Sequence, residues 1–364
     1  MKKNLSLALG SLVIAATAIA QGSNLPGEKL GRTKDTNHNA AWIPSTRLTA
    51  RPFTELAVRE LTYLVEPIVL PESGRLRVSL TFQGNSSGNS RLLLPLEWSA
   101  GVDLYRAIRN LQSLSEDARL EDTKEPHVKV VHHAPNQHIS LTYEVVSQPP
   151  GAKLTPAVYH YPVLRSTYFY VIGQALWVYP DMPETTPLHI TLHWKNIPNG
   201  WALINSFGVG EAQQKVSMTL EEFRAGTFLA GDYRAKRIDV HKQPVYVVTR
   251  GQWGFPDAEF HILVRRVMQV GCDLWRSCDF PDYFVALLPT DERSGPTGGE
   301  HRTNSVVLYL PKDLTTLSDH LLLIAHELFH AWNPSRLGTY ENDRLYWFGE
   351  GFTDYYAPLL LLRA

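Results

Sequence analysis

Between about residues 58 and 230 the chain is written in short apolar runs separated by turn-forming residues. "RLRVSLTF" alternates apolar and polar positions, "QGNSSGNS" follows as a turn, and "RLLLPLEW" resumes the pattern. "HVKVVHH", "HISLTYEVV", "TYFYVIG", "ALWVYP" and "LHITLHW" predict further strands, and only "DLYRAIRNLQSL" carries the spacing of a short helix. Many short strands with turns between them predict a β-sandwich-like architecture. No internal repeat or low-complexity segment interrupts it.

Near residue 230 the period changes. "PDAEFHILVRRVMQVGCDLW" has its apolar residues at helical spacing, "DYFVALLP" and "NSVVLYLP" read as strands, and "SDHLLLIAHELFHAW" reads as a helix. Ser318 is the expected N-cap of that last helix and Asn333-Pro334 its expected stop. "WFGEGFTDYY" predicts another helix, with Pro358 expected to kink it beyond the residues of interest. The fold class expected is therefore α+β, with a β domain over 46–232 and a domain of mixed helices and strands over 233–364.

The first residues are patterned differently. Lys2 and Lys3 precede the apolar run Leu5 to Ala20, and Ala18-Ile19-Ala20 fits a signal-peptidase site, so 1–20 is expected to be a cleaved signal peptide. That run is short for a bilayer span, which predicts release to the periplasm or medium rather than stable membrane insertion. Residues 21–45, polar and rich in Gly, Asn and Thr, are expected to form a flexible leader.

Composition adds little to the fold but narrows the function. The 364 residues are 44% hydrophobic and 20% charged with a formal net charge of −1, and no run of Lys or Arg occurs. A nucleic-acid partner is disfavoured, because binding phosphates needs a basic face. The only cysteines are Cys272 and Cys278. In an oxidising compartment a disulfide is expected, provided the helix ends between them, since six residues of unbroken helix would turn them to different faces.

The candidate chemistry lies in "HELFHAWNPSRLGTYENDRLYWFGEGFTDYY", residues 326 to 356. On a helix His326 and His330 share one face a turn apart, positioned to hold one zinc ion, with Glu327 beside them to take a proton from water. The apolar flanks "LLLIA", Leu328, Phe329 and Trp332 imply burial, which is costly for two imidazoles and a carboxylate unless a metal pairs with them. Glu350 is the expected third ligand. Asp354, four residues on, is expected to accept a hydrogen bond from the far nitrogen of a ligand histidine. Three protein ligands with an open position define a catalytic site holding one zinc per chain. His132, His133 and His138 read as surface histidines, and Tyr355 and Tyr356 as packing residues.

"HELFHAWNPSRL" and "WFGEGFTDYYAPLLLLRA" resemble the glycyl aminopeptidase family of zinc metallopeptidases. The resemblance extends more weakly through "FLAGDYRAKRI", "DFPDYFVALL" and "NGWALINSFG", and Arg336 also matches it. It implies an N-terminal β domain followed by a thermolysin-like catalytic domain. It also implies His326, His330 and Glu350 as zinc ligands and Glu327 as catalytic base. "GPTGGEHRTNSVVLYL" is similar to that family's Gly-Gly-x-Glu-His segment with the glycines shifted, which implies Glu300 and His301 as substrate-binding residues, Glu300 receiving a free α-amine. The activity implied is removal of small N-terminal residues, Gly or Ala, from peptides or proteins with a free N-terminus. The family continues with a helical subdomain and a PDZ domain, so the catalytic domain is expected to be incomplete at Ala364. A zinc endopeptidase and a non-catalytic peptide-binding or scaffolding protein are the competing readings.

Overall fold

A computed structural model of the chain describes residues 59–333 and 346–364. The expected signal peptide and leader, the start of the β domain at 46, Pro334 and Arg336 lie outside the described residues.

The first region is built from strands, as its alternating pattern requires. Its largest sheet has six strands in the order Gln213–Thr219, Pro187–Trp194, Arg59–Val69, Gly74–Gln83, His138–Val146 and Ile108–Ser113. Every pairing in it is antiparallel except that of Arg59–Val69 with Pro187–Trp194. Alternate residues such as Leu61, Tyr63 and Val65 point into the core and are no more than 2% exposed. A four-stranded sheet (including Asn89–Leu93 and Val128–His132) and a five-stranded one (including Tyr168–Ile172 and Thr227–Gly231) complete this region.

The expected helix at "DLYRAIRNLQSL" is corrected. Leu104–Ala107 makes a single 3-10 turn and Ile108–Ser113 joins the six-stranded sheet as an edge strand. Pairing with His138–Val146, through an irregularity between Arg109 and Gln112, overrides a helical spacing too short to sustain a helix.

The second region is organised by a mixed sheet in the order Arg234–Val240, Gln243–Thr249, Tyr283–Thr290, Ser305–Pro311 and Gly298–Arg302. Its two inner pairings are parallel and its outer pairings antiparallel, which leaves Gly298–Arg302 at one edge. Every residue of Tyr283–Thr290 and Ser305–Pro311 is buried, because both faces are covered. Phe284, Ala286, Leu288, Val307 and Tyr309 belong to the core of the first region. Val285, Leu287, Val306, Leu308 and Leu310 pack instead under the helices.

Three helices cover that second face. Asp257–Trp275 is the longest. It ends in a left-handed Arg276 at φ 50°, and the reversal brings Cys278 back to Cys272, Cα to Cα 4.9 Å, in a disulfide. The motif helix, Leu321–Phe329, starts later than expected: Thr316 accepts from the Ser318 N–H, Ser318–His320 forms a 3-10 turn, and His320 rather than Ser318 stands at the N-cap. The C-terminal helix, Tyr346–Arg363, continues past Pro358. No described helix is long and apolar enough to cross a membrane.

Candidate metal centre

The motif helix presents His326 and His330 one turn apart, with their rings nearly perpendicular and centroids separated by 4.8 Å. The His326 Nε2 lies 3.1 Å from the His330 Nε2 and 3.1 Å from the Glu350 Oε2, and the third side of the triangle is 3.6 Å. Ligands placed about 2.0–2.1 Å from a tetrahedral zinc ion stand roughly 3.3 Å from one another. The triangle has the size of one face of that tetrahedron. Among the described residues this is the one group of His, Cys, Asp and Glu side chains that could hold a metal ion.

The far nitrogens fix which atoms face the centre. His330 Nδ1 lies 2.8 Å from the Asn333 carbonyl oxygen, which can only accept, so Nδ1 carries the hydrogen and Nε2 presents a lone pair. His326 Nδ1 lies 2.8 Å from the Asp354 Oδ1, the contact expected of an orienting carboxylate, and its Nε2 likewise faces inward. Two nitrogen lone pairs and a carboxylate oxygen therefore converge on one point, an arrangement that a cation satisfies. Burial works against charge on His326, yet the Glu350, Glu327 and Asp354 carboxylates outweigh it and raise its pKa. Burial lowers the pKa of His330. Burial also opposes the charge of Glu350, but the adjoining His326 and His330 rings draw its pKa below the ordinary value.

Glu327 is 7% exposed on the same helix. Burial, with repulsion from Glu350 and Glu300, pushes its pKa up to about 8 against the attraction of His326. Its side chain lies against the edge strand at Gly299, where an added Cβ would stand 2.3 Å from Glu327 Cγ and 2.5 Å from Cδ. The strand's glycine thus leaves the space that the carboxyl occupies. The "GG" in the sequence carried that signal, but only the packing says what fills the gap.

Glu300 stands within the edge strand rather than ahead of one. Alternation along Gly298–Arg302 puts Gly299 and His301 toward the motif helix, while Glu300 and Arg302 face the first region. There Glu300 is hydrogen-bonded to His160 Nε2, and its other oxygen lies 3.4 Å from an Arg302 nitrogen. Arg302, buried to 3% exposure, also donates to Gln174 and lies over the Trp98 ring at 5.2 Å. Burial works against ionised Glu300, but His160 and Arg302 hold its pKa below the ordinary range. His301 lies with its ring 6.4 Å from those of Tyr283 and His330, and burial, with His330 and Arg302, lowers its pKa to about 3.

His132, His133 and His138 play no part here. His132 is paired with Asn89 and with Glu121 at 2.9 Å, a carboxylate brought by the neighbouring strand that spacing along the chain did not reveal. Tyr356 packs on Phe329 with centroids 5.2 Å apart, whereas Tyr355 is 64% exposed. His160, Asn333 and Thr353 were missed: the first is remote in sequence, the second read only as a helix stop, and the third carried no signal.

Residues 319–364 match the model of the M61 glycyl aminopeptidases, as the motifs in this stretch lead one to expect. None of the curated proteins matches the chain. In shape the chain is similar to an aminopeptidase N family protein from Idiomarina loihiensis, with a TM-score of 0.67 and 17% identity over 83% of this chain and 54% of that one. It is also similar to yeast LTA4 hydrolase in complex with bestatin (TM-score 0.48, 18% identity, 85% and 49% covered) and to an M1 zinc metallopeptidase from Deinococcus radiodurans (TM-score 0.45, 18%, 84% and 70%). The first of these likenesses concerns the fold: an α+β chain that spans about half the length of that relative.

Proposed function

We propose that this chain is the catalytic part of a zinc-dependent peptidase acting at the free N-terminus of peptides or proteins, exported to the periplasm or medium. The residues then divide into the β domain of 46–232 and the catalytic portion of 233–364. The observation that carries the reading is the convergence of His326 Nε2, His330 Nε2 and Glu350 Oε2 within one tetrahedral face, next to a buried carboxyl. His326, His330 and Glu350 would hold zinc, which would supply Lewis acidity and bring the pKa of a water molecule toward neutrality. The similarity of residues 319–364 to glycyl aminopeptidases favours small N-terminal residues, Gly or Ala, as substrates.

In this reading Glu327 accepts the proton of the attacking water and passes it to the leaving amine. The open edge of Gly298–Arg302 offers backbone groups to an extended peptide. Glu300, behind that edge, is the acceptor for the α-amine. The endopeptidase reading draws on a specific observation: both oxygens of Glu300 already have cationic or hydrogen-bonding neighbours in His160 and Arg302.

Cleavage of a Gly- or Ala-initiated peptide, compared with its N-acetylated twin, separates the two. Strong loss on acetylation is expected, and equal cleavage of both overturns the aminopeptidase reading. Glu327→Ala is expected to reduce turnover by about 10²- to 10⁴-fold with zinc retained. Unchanged turnover overturns the role of Glu327.

A further inference from the structure

The two helices that contribute the candidate ligands are joined by one side chain. Asn333, 1% exposed, follows the motif helix, and its backbone carbonyl accepts from His330 Nδ1 at 2.8 Å. Its side-chain nitrogen donates to the Gly349 carbonyl at 2.9 Å, and lies 3.3 Å from both the Phe348 carbonyl and Thr353 Oγ1. Thr353, fully buried, donates in turn to Gly349 O at 2.7 Å. Gly349 is the residue before Glu350. One residue thus touches the second histidine through its main chain and the turn bearing the carboxylate through its amide.

The rest of the C-terminal helix is held elsewhere. Tyr356, Ala357 and Leu360 pack in the second core, and Asp354 meets His326, all beyond the turn that carries Glu350. In that turn Trp347 and Phe352 are 61% and 39% exposed and Gly351 is also exposed, while half-buried Phe348 meets the Phe352 ring with centroids 4.6 Å apart. A buried amide is directional, because misalignment leaves its donors unsatisfied away from water.

We propose that Asn333, supported by Thr353, is a positioning residue that sets Glu350 against the histidine pair and thereby sets the affinity of the site for zinc. This rests on the metal reading of the site. Its effect passes through Glu350, which makes it separable from a general contribution to packing.

The test is a double-mutant cycle on the purified full chain, read as zinc affinity by competition with a chromophoric chelator. Asn333→Leu, which keeps the branched side-chain skeleton and the backbone carbonyl while removing the amide, is expected to weaken zinc binding by about 10- to 100-fold. In a Glu350→Ala background the same substitution is expected to change affinity by less than about twofold. Unchanged affinity in the single variant, or an equal loss in both backgrounds, overturns the proposal. Should Asn333→Leu fail to fold, Thr353→Val is expected to weaken binding in the same direction and only when Glu350 is present; no weakening overturns the proposal. A wild-type chain that binds zinc tightly while the variants match it defeats this inference alone, whereas a wild-type chain that binds none defeats the metal reading with it.

Discussion

Glu327 is a carboxyl placed where water cannot stabilise its charge. In the metal-free protein its pKa is near 8 against an ordinary 4.5, so between those values the folded chain holds a proton that the unfolded chain releases. The group's contribution to stability is therefore present at low pH and is lost as pH rises through that window. Glu327→Gln removes the conflict. Metal-free Glu327→Gln is expected to be more stable than wild type at pH 7.5, by on the order of 2 kcal/mol in denaturant unfolding, with the gap closing at pH 4.5. Equal or lower stability at pH 7.5 contradicts this account of Glu327. The residue was identifiable from the sequence because its neighbours His326 and His330 stand four apart on a helix, a spacing that fixes direction. What surrounds the carboxyl was not, since Gly299 lies against it from a strand earlier in the chain.

Two elements meet closely at that carboxyl, the motif helix and the edge strand Gly298–Arg302. Their separation is set by the absence of a side chain at Gly299, where any Cβ would collide with Glu327. Gly299→Ala is expected to retain zinc and to lower kcat/KM about 100-fold by displacing Glu327, the proposed base. Activity within about threefold of wild type contradicts the close approach. Elements with a strong local period were legible: the alternating strands, the long helix Asp257–Trp275, and the pair "DYFVALLP" and "NSVVLYLP" that became buried parallel strands. Elements decided by their partners were not. Residues 108–113 were claimed by a neighbouring strand despite a helical spacing, and a side chain at Thr316 delayed the motif helix beyond Ser318.

At the scale of the molecule, the mixed sheet serves two cores at once. Tyr159 donates to the Pro289 carbonyl at 2.8 Å and Tyr170 meets Tyr309 at 2.8 Å, so the first region is fastened to the sheet that carries the edge strand. His160, in the turn that begins at Pro156, continues that contact to Glu300. The candidate ligands could be proposed from one stretch of the sequence because His326 and His330 close the motif helix and Glu350 lies in the helix that follows. The surroundings of Glu300 could not, because His160 is 140 residues away and no short-range pattern links them. The proposed function depends on a cation at the convergence of His326, His330 and Glu350. The most direct test is the metal content of the purified chain by mass spectrometry, beside that of the His326→Ala, His330→Ala double variant. One zinc per wild-type chain, absent from the double variant while the fold persists, is the result expected; a wild-type chain that retains no metal, or a double variant that retains it equally, contradicts the account.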